Sequence, residues 1–303
     1  MSGETILVTG AAGFTGRYFI AQAAHAGHRC IALCKEDGEQ VPEAEHNVAC
    51  DLLDKHRLIE IVESNQPSMV VHLAAISFVA HENTAEIYRV NLLATLNLLD
   101  AISGLAPRVR KVLIASSANV YGNATRLPIS EEHLPAPVNH YGVSKYAMEM
   151  AARLYGDLPI VLVRPFNYTG VGQSDQFLIP KIVSAFARHE PAIELGNLDV
   201  ARDFSDVRDV TTAYLRLLFC SSSRELFNIC SGVPIELRSI IEILNDLAGY
   251  EIEVRTNKRY VRNNEIKVLF GSSQLIDNTI GCYRTHDIRS TLEWMYGERL
   301  KTH

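Results

Sequence analysis

The chain has 303 residues, room for one large domain or two, and hydrophobic residues make up 47% of it, enough for a substantial core. A net charge of −6 disfavours nucleic acid and anionic membrane as partners, since both are bound through an excess of Lys and Arg. The six cysteines are scattered without a Cys-x-x-Cys pair, so buried free thiols in a reducing, cytoplasmic compartment are expected, and no metal.

Short apolar runs alternate with helical patterns through the first half. Thr5–Val8, Arg29–Leu33, Asn47–Ala49, Met69–Leu73, Val112–Ala115 and Ile160–Val163 read as strands, apolar on both faces as buried parallel strands must be. Gly16–His25, Lys55–Glu63, Glu86–Ile102 and Tyr141–Leu154 read as the helices between them. This alternation predicts an α/β fold, a doubly wound parallel sheet of the Rossmann type. After Arg164 the texture changes, with Pro165, Gly170, Gly172 and Pro180 punctuating the chain. Asp206–Phe219 reads as a helix, Glu225–Cys230 as a buried strand that rejoins the sheet, and Leu237–Leu247 as an amphipathic helix ended by Gly249. The expected division is 1–166 plus 207–232 for a dinucleotide-binding domain, and 167–206 plus 233–303 for a smaller, discontinuous C-terminal substrate domain. With the glycine loop starting by Gly10, no signal peptide is expected. The longest apolar run, from Met69 to Ala80, is broken by His72 and Ser77 and is too short to span a bilayer.

Gly10-Ala-Ala-Gly13-Phe14-Thr15-Gly16 follows the first strand and opens the first helix. Gly10 permits a sharp turn, Gly13 a close backbone approach to a pyrophosphate, and Gly16 packing of the helix on the sheet. The helix N-terminus then supplies amide donors and a favourable dipole. An acid usually closes the second strand to hold the ribose hydroxyls of NAD. Here that strand runs into Cys34-Lys35, with Glu36 and Asp37 only beyond it. Arg17 sits in the first helical turn, where a cation opposes the macrodipole unless an anion lies beside it. Arg17 and Lys35 therefore point to the 2′-phosphate of NADP(H), with NAD(H) as the alternative. Asp51 and Leu52, after the third strand, are placed to face the adenine. Leu73, Ala74 and Ala75, after the fourth, are small enough to let the cofactor lie close.

Tyr141 and Lys145 are four residues apart and share a helix face. The ammonium is expected to lower the phenol pKa and make Tyr141 a general acid/base. The preceding strand ends in Ser116-Ser117-Ala-Asn-Val-Tyr121-Gly122, at the carboxyl edge where ligands bind in this architecture. A serine there can hydrogen-bond a substrate oxygen while Tyr141 exchanges its proton.

Taken together, the glycine loop, Ser116–Gly122 and Tyr141-x-x-x-Lys145 resemble the extended short-chain dehydrogenase/reductases that act on nucleotide sugars. The resemblance covers nearly the whole chain. It implies Ser117, Tyr141 and Lys145 as catalytic residues, with Lys145 also holding the nicotinamide ribose and Asn91 in the cofactor site. Phe14 and Thr15 join the cofactor set with the loop. On the substrate side it implies Ser77, Ser117, Ala118, Asn119, Asn167, Lys181, Arg202, Arg262 and Glu265. The segments Arg164–Gln173, Arg202–Asp209, Phe227–Gly232 and Arg262–Glu265 are most similar to those of GDP-4-keto-6-deoxy-D-mannose reductases, which form GDP-D-rhamnose. Asn263, Ser272 and Cys282-Tyr283-Arg284 depart from that pattern.

Three reactions share such a core. The 4,6-dehydratases of the family need acids just after the catalytic serine, where this chain has Ala118 and Asn119. The 4-epimerases, with tightly held NAD, usually carry the acidic signature missing after the second strand. A reductase needs only Ser117, Tyr141, Lys145 and NADPH. The expectation is reduction of a nucleotide-4-keto-6-deoxyhexose, with a GDP-sugar as substrate and a homodimer as the assembly. A 4-epimerase and a non-catalytic dinucleotide sensor are the alternatives.

Overall fold

The computed structural model describes residues 3–78, 81, 83–105, 108–222, 225–257 and 267–302. In chain order the first half holds β1 (Thr5–Thr9), α1 (Phe14–His25), β2 (Arg29–Cys34), β3 (His46–Ala49), α2 (Lys55–Asn65), β4 (Met69–His72), α3 (Thr84–Tyr88), α4 (Ala94–Ser103), β5 (Lys111–Ala115), α5 (His140–Ala152) and β6 (Ile160–Pro165). The second half holds β7 (Asn167–Thr169), α6 (Leu178–Ala187), β8 (Ala192–Leu195), β9 (Ala201–Asp206), α7 (Val207–Phe219), β10 (Leu226–Ile229), β11 (Pro234–Glu236), α8 (Leu237–Ala248), β12 (Glu253–Thr256), β13 (Val268–Leu269), α9 (Gln274–Ile280) and α10 (Ile288–Leu300).

Seven parallel strands form one sheet in the order β10-β6-β5-β4-β1-β2-β3. Strand order reverses between β1 and β4, the crevice where a doubly wound sheet takes its ligand. Apolar residues alternate between two cores. Ile6 and Val8 of β1 pack with Phe19 and Ile20 of α1 and with Val210 and Leu217 of α7. Leu7 faces the opposite layer, with Leu58 of α2, Leu98 of α4 and Met148 of α5. Burial on both faces explains why these strands carry unbroken apolar runs. β10 pairs with β6 from Leu226↔Leu162 to Ile229↔Pro165, so the chain returns to the sheet as expected.

A smaller C-terminal part is built on a third core, where α6, α8 and α10 enclose Ile193 and Leu195 of β8. β9 lies between β11 and β13 and also pairs with β7. Because β7 follows β6 directly and β9 leads into α7, this small sheet stands at the carboxyl edge of the large one. Gly249 ends α8 with φ +73°. Among the described residues no helix is long and apolar enough to cross a membrane.

One element differs from expectation. The single helix read over Glu86–Ile102 is α3, a π-helical turn at Arg89–Leu93, and α4. The wide turn swings Asn91 inward, where its side chain bonds the backbone of Ile76 and the hydroxyl of Ser144. Single π turns of this kind are commonly found at functional sites.

Candidate active site

The glycine loop closes over the end of β1. Gly10 has φ +65°, and a Cβ there would lie 2.7 Å from the amide nitrogen of Ala74. A Cβ on Gly16 would lie 2.3 Å from the Gly10 carbonyl oxygen. No side chain could be fitted at either position, so bare backbone faces the crevice. Gly13 stands at the N-cap of α1, and no side chain caps it. Uncapped amides at the positive end of a 12-residue helix suit a pyrophosphate. The residues present therefore fit a dinucleotide.

The flanks of this cradle are ordered by contacts of their own. Phe14 stacks on Tyr168 at 6.1 Å, and Thr15 Oγ1 shares a 2.8 Å hydrogen bond with the Tyr168 hydroxyl. Tyr168 carries no motif signal in the sequence and emerges as part of the cradle only from the fold. Arg17 reaches along the rim, its Nε donating to the Ala12 carbonyl at 2.9 Å and its Nη1 to Gln40 at 3.0 Å. Lys35 and Asp51 are exposed, Asp51 accepting from the Leu53 amide at 2.9 Å. Leu52 is held through its carbonyl by Asn97. The Leu73 amide bonds the Thr9 carbonyl, the Ala74 amide bonds Thr9 Oγ1, and Ala75 follows at the β4 exit. Asn91 is committed to Ile76 and Ser144, and so bears on this wall through the backbone it pins.

Ser117, Tyr141 and Lys145 come together at the carboxyl edge of β5. Asn139 caps α5 by accepting from the Gly142 amide at 2.8 Å, fixing the turn that carries Tyr141. Gly142 lets α5 press on the turn at Ala118–Tyr121, since a Cβ there would lie 2.7 Å from the Asn119 carbonyl. The Ser117 hydroxyl accepts 3.1 Å bonds from the amide and the side chain of Asn119 and hydrogen-bonds the Tyr141 phenol. Ser117, Tyr141 and Lys145 are all at most 7% exposed.

Electrostatics correct one expectation. The Tyr141 phenol is pushed up to about 12, because burial outweighs the hydrogen bond from Ser117. The shared helix face predicts that Lys145 lowers it. Instead its ammonium donates to the Ala115 carbonyl at 2.8 Å, and burial pulls its own pKa down to about 8 against the field of Glu149. Spacing along a helix gives a shared face but carries no information on desolvation.

Behind the pair lies a buried polar network that the sequence reading did not identify. Glu149 follows Lys145 by one more turn of α5 and accepts from Arg164 of β6 at 2.9 and 2.6 Å. Ser116 also donates to it. Arg164 lies over the Tyr121 ring at 4.6 Å, and the Tyr121 hydroxyl donates to Asn228 of β10 at 2.7 Å. The spacing Tyr141-x-x-x-Lys145-x-x-x-Glu149 was the available signal. On the other side of Lys145, His72 bridges Thr9 at 2.7 Å and Thr95 at 2.8 Å. Burial and then Lys145 hold that imidazole down to about 3, so it stays neutral.

The sequence-predicted substrate residues are spread around the mouth. Ser77 is exposed beyond β4, and its neighbour Phe78 packs edge-on against Phe177 at the start of α6 at 6.1 Å. Ala118 and Asn119 adjoin Ser117. Asn167 is exposed and donates to the Asp203 carbonyl at 3.1 Å. Lys181 donates to the Glu194 carbonyl at 2.9 Å, and Arg202 to that of Ala201 at 2.9 Å. Asp203, buried and unanticipated, ties this side together by accepting from Ser231, Gly232 and Gly271. Arg262 and Glu265 lie outside the described residues. Among the described residues no group of three or more His, Cys, Asp or Glu is arranged to hold a metal ion.

Comparison with known proteins places this geometry. The profile of the NAD dependent epimerase/dehydratase family matches residues 6–230. The chain is 37% identical over 298 residues to a GDP-6-deoxy-D-talose 4-dehydrogenase of Aggregatibacter actinomycetemcomitans, covering 97% of this chain and 98% of that one. It is 36% identical over 290 residues to a GDP-6-deoxy-D-mannose reductase of Pseudomonas aeruginosa, covering 92% and 91%. The structure of RMD from Pseudomonas aeruginosa complexed with NADPH superposes with a TM-score of 0.87 at 32% identity, covering 99% of both chains.

Proposed function

The chain belongs to the NAD dependent epimerase/dehydratase family, and we propose that it reduces the C4 ketone of a nucleotide-4-keto-6-deoxyhexose with NADPH, the sugar nucleotide being GDP-4-keto-6-deoxy-D-mannose. It is an NAD(P)-dependent oxidoreductase of the extended short-chain dehydrogenase/reductase type. The observation that carries the finer reading is the convergence of Ser117, Tyr141 and Lys145 beside the glycine loop, with Ala118 and Asn119 where a dehydratase needs acids. Relatives named for redox on GDP-6-deoxyhexoses support the substrate.

The glycine loop and the N-terminus of α1 would hold the pyrophosphate, Arg17 and Lys35 the 2′-phosphate, and Lys145 the nicotinamide ribose. A bound nicotinamide supplies hydride to the carbonyl carbon. The chain's own residues handle the oxygen. Ser117 donates a hydrogen bond to it, and Tyr141 transfers its phenolic proton as the carbonyl becomes an alkoxide. A phenol at about 12 is fully protonated at neutral pH, the state an acid needs. The Lys145 ammonium, present below about pH 8, would hold the nicotinamide ribose in place for that transfer. Asn167, Lys181 and Arg202, with Arg262 and Glu265, would take the nucleotide and sugar.

Two further parts belong to this reading. The division into 1–166 plus 207–232 and 167–206 plus 233–303 is supported by β10 in the main sheet and by α7 packed against α1. A homodimer through the helical segments 86–102 and 141–154 is supported by Leu93 on the π turn, Val143 and Met150 on α5 and Leu154 just beyond it, the last 84% exposed. The test of function is NADPH oxidation against a panel of nucleotide-4-keto-6-deoxy sugars, with product stereochemistry read by NMR. Turnover of the GDP-sugar is expected, and no turnover of any member would overturn the reading.

A further inference from the structure

The end of β2 is where a doubly wound fold reads the 2′ position of the adenosine ribose, with an acid for a hydroxyl or an arginine for a phosphate. No acid closes β2 in sequence, yet the structure brings one there. After Cys34 the chain turns through Glu36, Asp37 and Gly38, the last at φ +88°, and the Glu39 amide bonds back to the Glu36 carbonyl at 3.4 Å. Glu39 is half-buried, while its neighbours from Lys35 to Gly38 are exposed. Its Oε2 accepts from the Lys35 amide at 3.1 Å and the Glu36 amide at 3.2 Å. These amides form a small anion site, and the chain's own carboxylate fills it.

Arg17 flanks the same point. Its guanidinium spans from Ala12 in the glycine loop to Gln40, the residue after Glu39. Both charges bear on the buried Cys34 thiol, which burial pushes up first, Glu39 pushes further and Arg17 pulls back. An acid and a base thus meet at the strand end, one suited to each form of the cofactor.

We propose that Glu39 is the specificity-determining residue of the ribose subsite. Its carboxylate occupies the amides that a 2′-phosphate would otherwise take, so NADP(H) binds through Arg17 only after displacing Glu39. NAD(H) binds with Glu39 in place, its carboxylate accepting from the ribose hydroxyls. The site then takes both cofactors, and Glu39 sets the ratio. The inference rests on the dinucleotide reading of the glycine loop.

Isothermal titration of wild type, Glu39→Gln and Glu39→Ala with NADPH and NADH tests it without any turnover. Glutamine removes the charge but can still accept from the amides, whereas alanine also frees them. Hydrogen bonds from freed donors to a charged group are worth about tenfold or more in affinity. NADPH affinity should therefore rise in the order wild type, Gln, Ala, by about tenfold at the last step. NADH affinity should fall in Glu39→Ala, which loses the acceptor for the ribose hydroxyls. A flat NADPH series, or equal changes for both cofactors, would overturn the role of Glu39. Titration of wild type with ADP-ribose checks the underlying reading separately. Absence of ADP-ribose binding would overturn the dinucleotide site itself, whereas binding beside a flat series rejects Glu39 alone.

Discussion

Glu149→Gln probes the buried charge behind Tyr141 and Lys145, the proposed catalytic pair. The Glu149 carboxylate and the Arg164 guanidinium are 0% and 2% exposed and meet at 2.6 Å. Glutamine keeps the shape but removes the charge, leaving a buried guanidinium without its counter-ion. Breaking a buried pair in this way costs about 3–5 kcal/mol. Total stability is on the order of 5–15 kcal/mol, so the loss is a large share of it. The midpoint of thermal unfolding should fall on the order of 10 °C. A second effect follows through Lys145, which burial holds down to about 8 while Glu149 opposes. Without Glu149 that pKa drops further. The sign follows from proton counting. Between the folded value near 8 and the ordinary lysine value of 10.5, the unfolded chain binds more protons than the folded one. Stability therefore rises with pH through that window, and in the variant the window opens at lower pH. On activity, the ammonium is lost as pH rises through about 8, so kcat/KM for reduction should decline on that alkaline side. The decline should move to lower pH in Glu149→Gln. Differential scanning fluorimetry and a pH profile of NADPH oxidation read the two effects. A midpoint within about 2 °C of wild type, together with an unmoved alkaline limb, would refute the reasoning.

Gly16→Ala places a Cβ 2.3 Å from the Gly10 carbonyl oxygen, a backbone atom that cannot yield without moving the loop. A stability loss of about 1–3 kcal/mol and loss of NADPH binding are expected, checked by thermal unfolding and titration. Arg17→Ala and Lys35→Ala should each weaken NADPH more than NADH, since only NADPH carries the 2′-phosphate; equal losses in paired titrations would count against the assignment. Light scattering at micromolar concentration should give a dimer mass for wild type and a monomer mass for Met150→Glu with Leu154→Glu. A wild-type monomer would reject the interface through 86–102 and 141–154.

The sheet was legible because burial on both faces leaves unbroken apolar runs such as Ile6-Leu7-Val8, and the glycine loop because its turns and close contacts exclude side chains. Other features depend on tertiary contacts that no local pattern encodes. The π turn at Arg89–Leu93 exists because Asn91 finds Ile76 and Ser144. The upward shift of Tyr141 comes from burial, which helix spacing does not report. Glu149 stood in plain view one turn past Lys145, but its partner Arg164 arrives from another strand. Glu39 lies several residues beyond the end of β2, and only the fold of the turn returns it there.

The central claim is that Tyr141 donates the proton in carbonyl reduction, and Tyr141→Phe tests it with the ring and its packing retained. Lys145→Ala should damage both turnover and cofactor binding, and Ser117→Ala should slow turnover less than Tyr141→Phe. General acid catalysis is worth about 10²–10⁴-fold, so turnover of the keto-sugar nucleotide by Tyr141→Phe should fall by that order. NADPH affinity, measured by titration on the same preparation, should change little. Near-native turnover by Tyr141→Phe would contradict the mechanism.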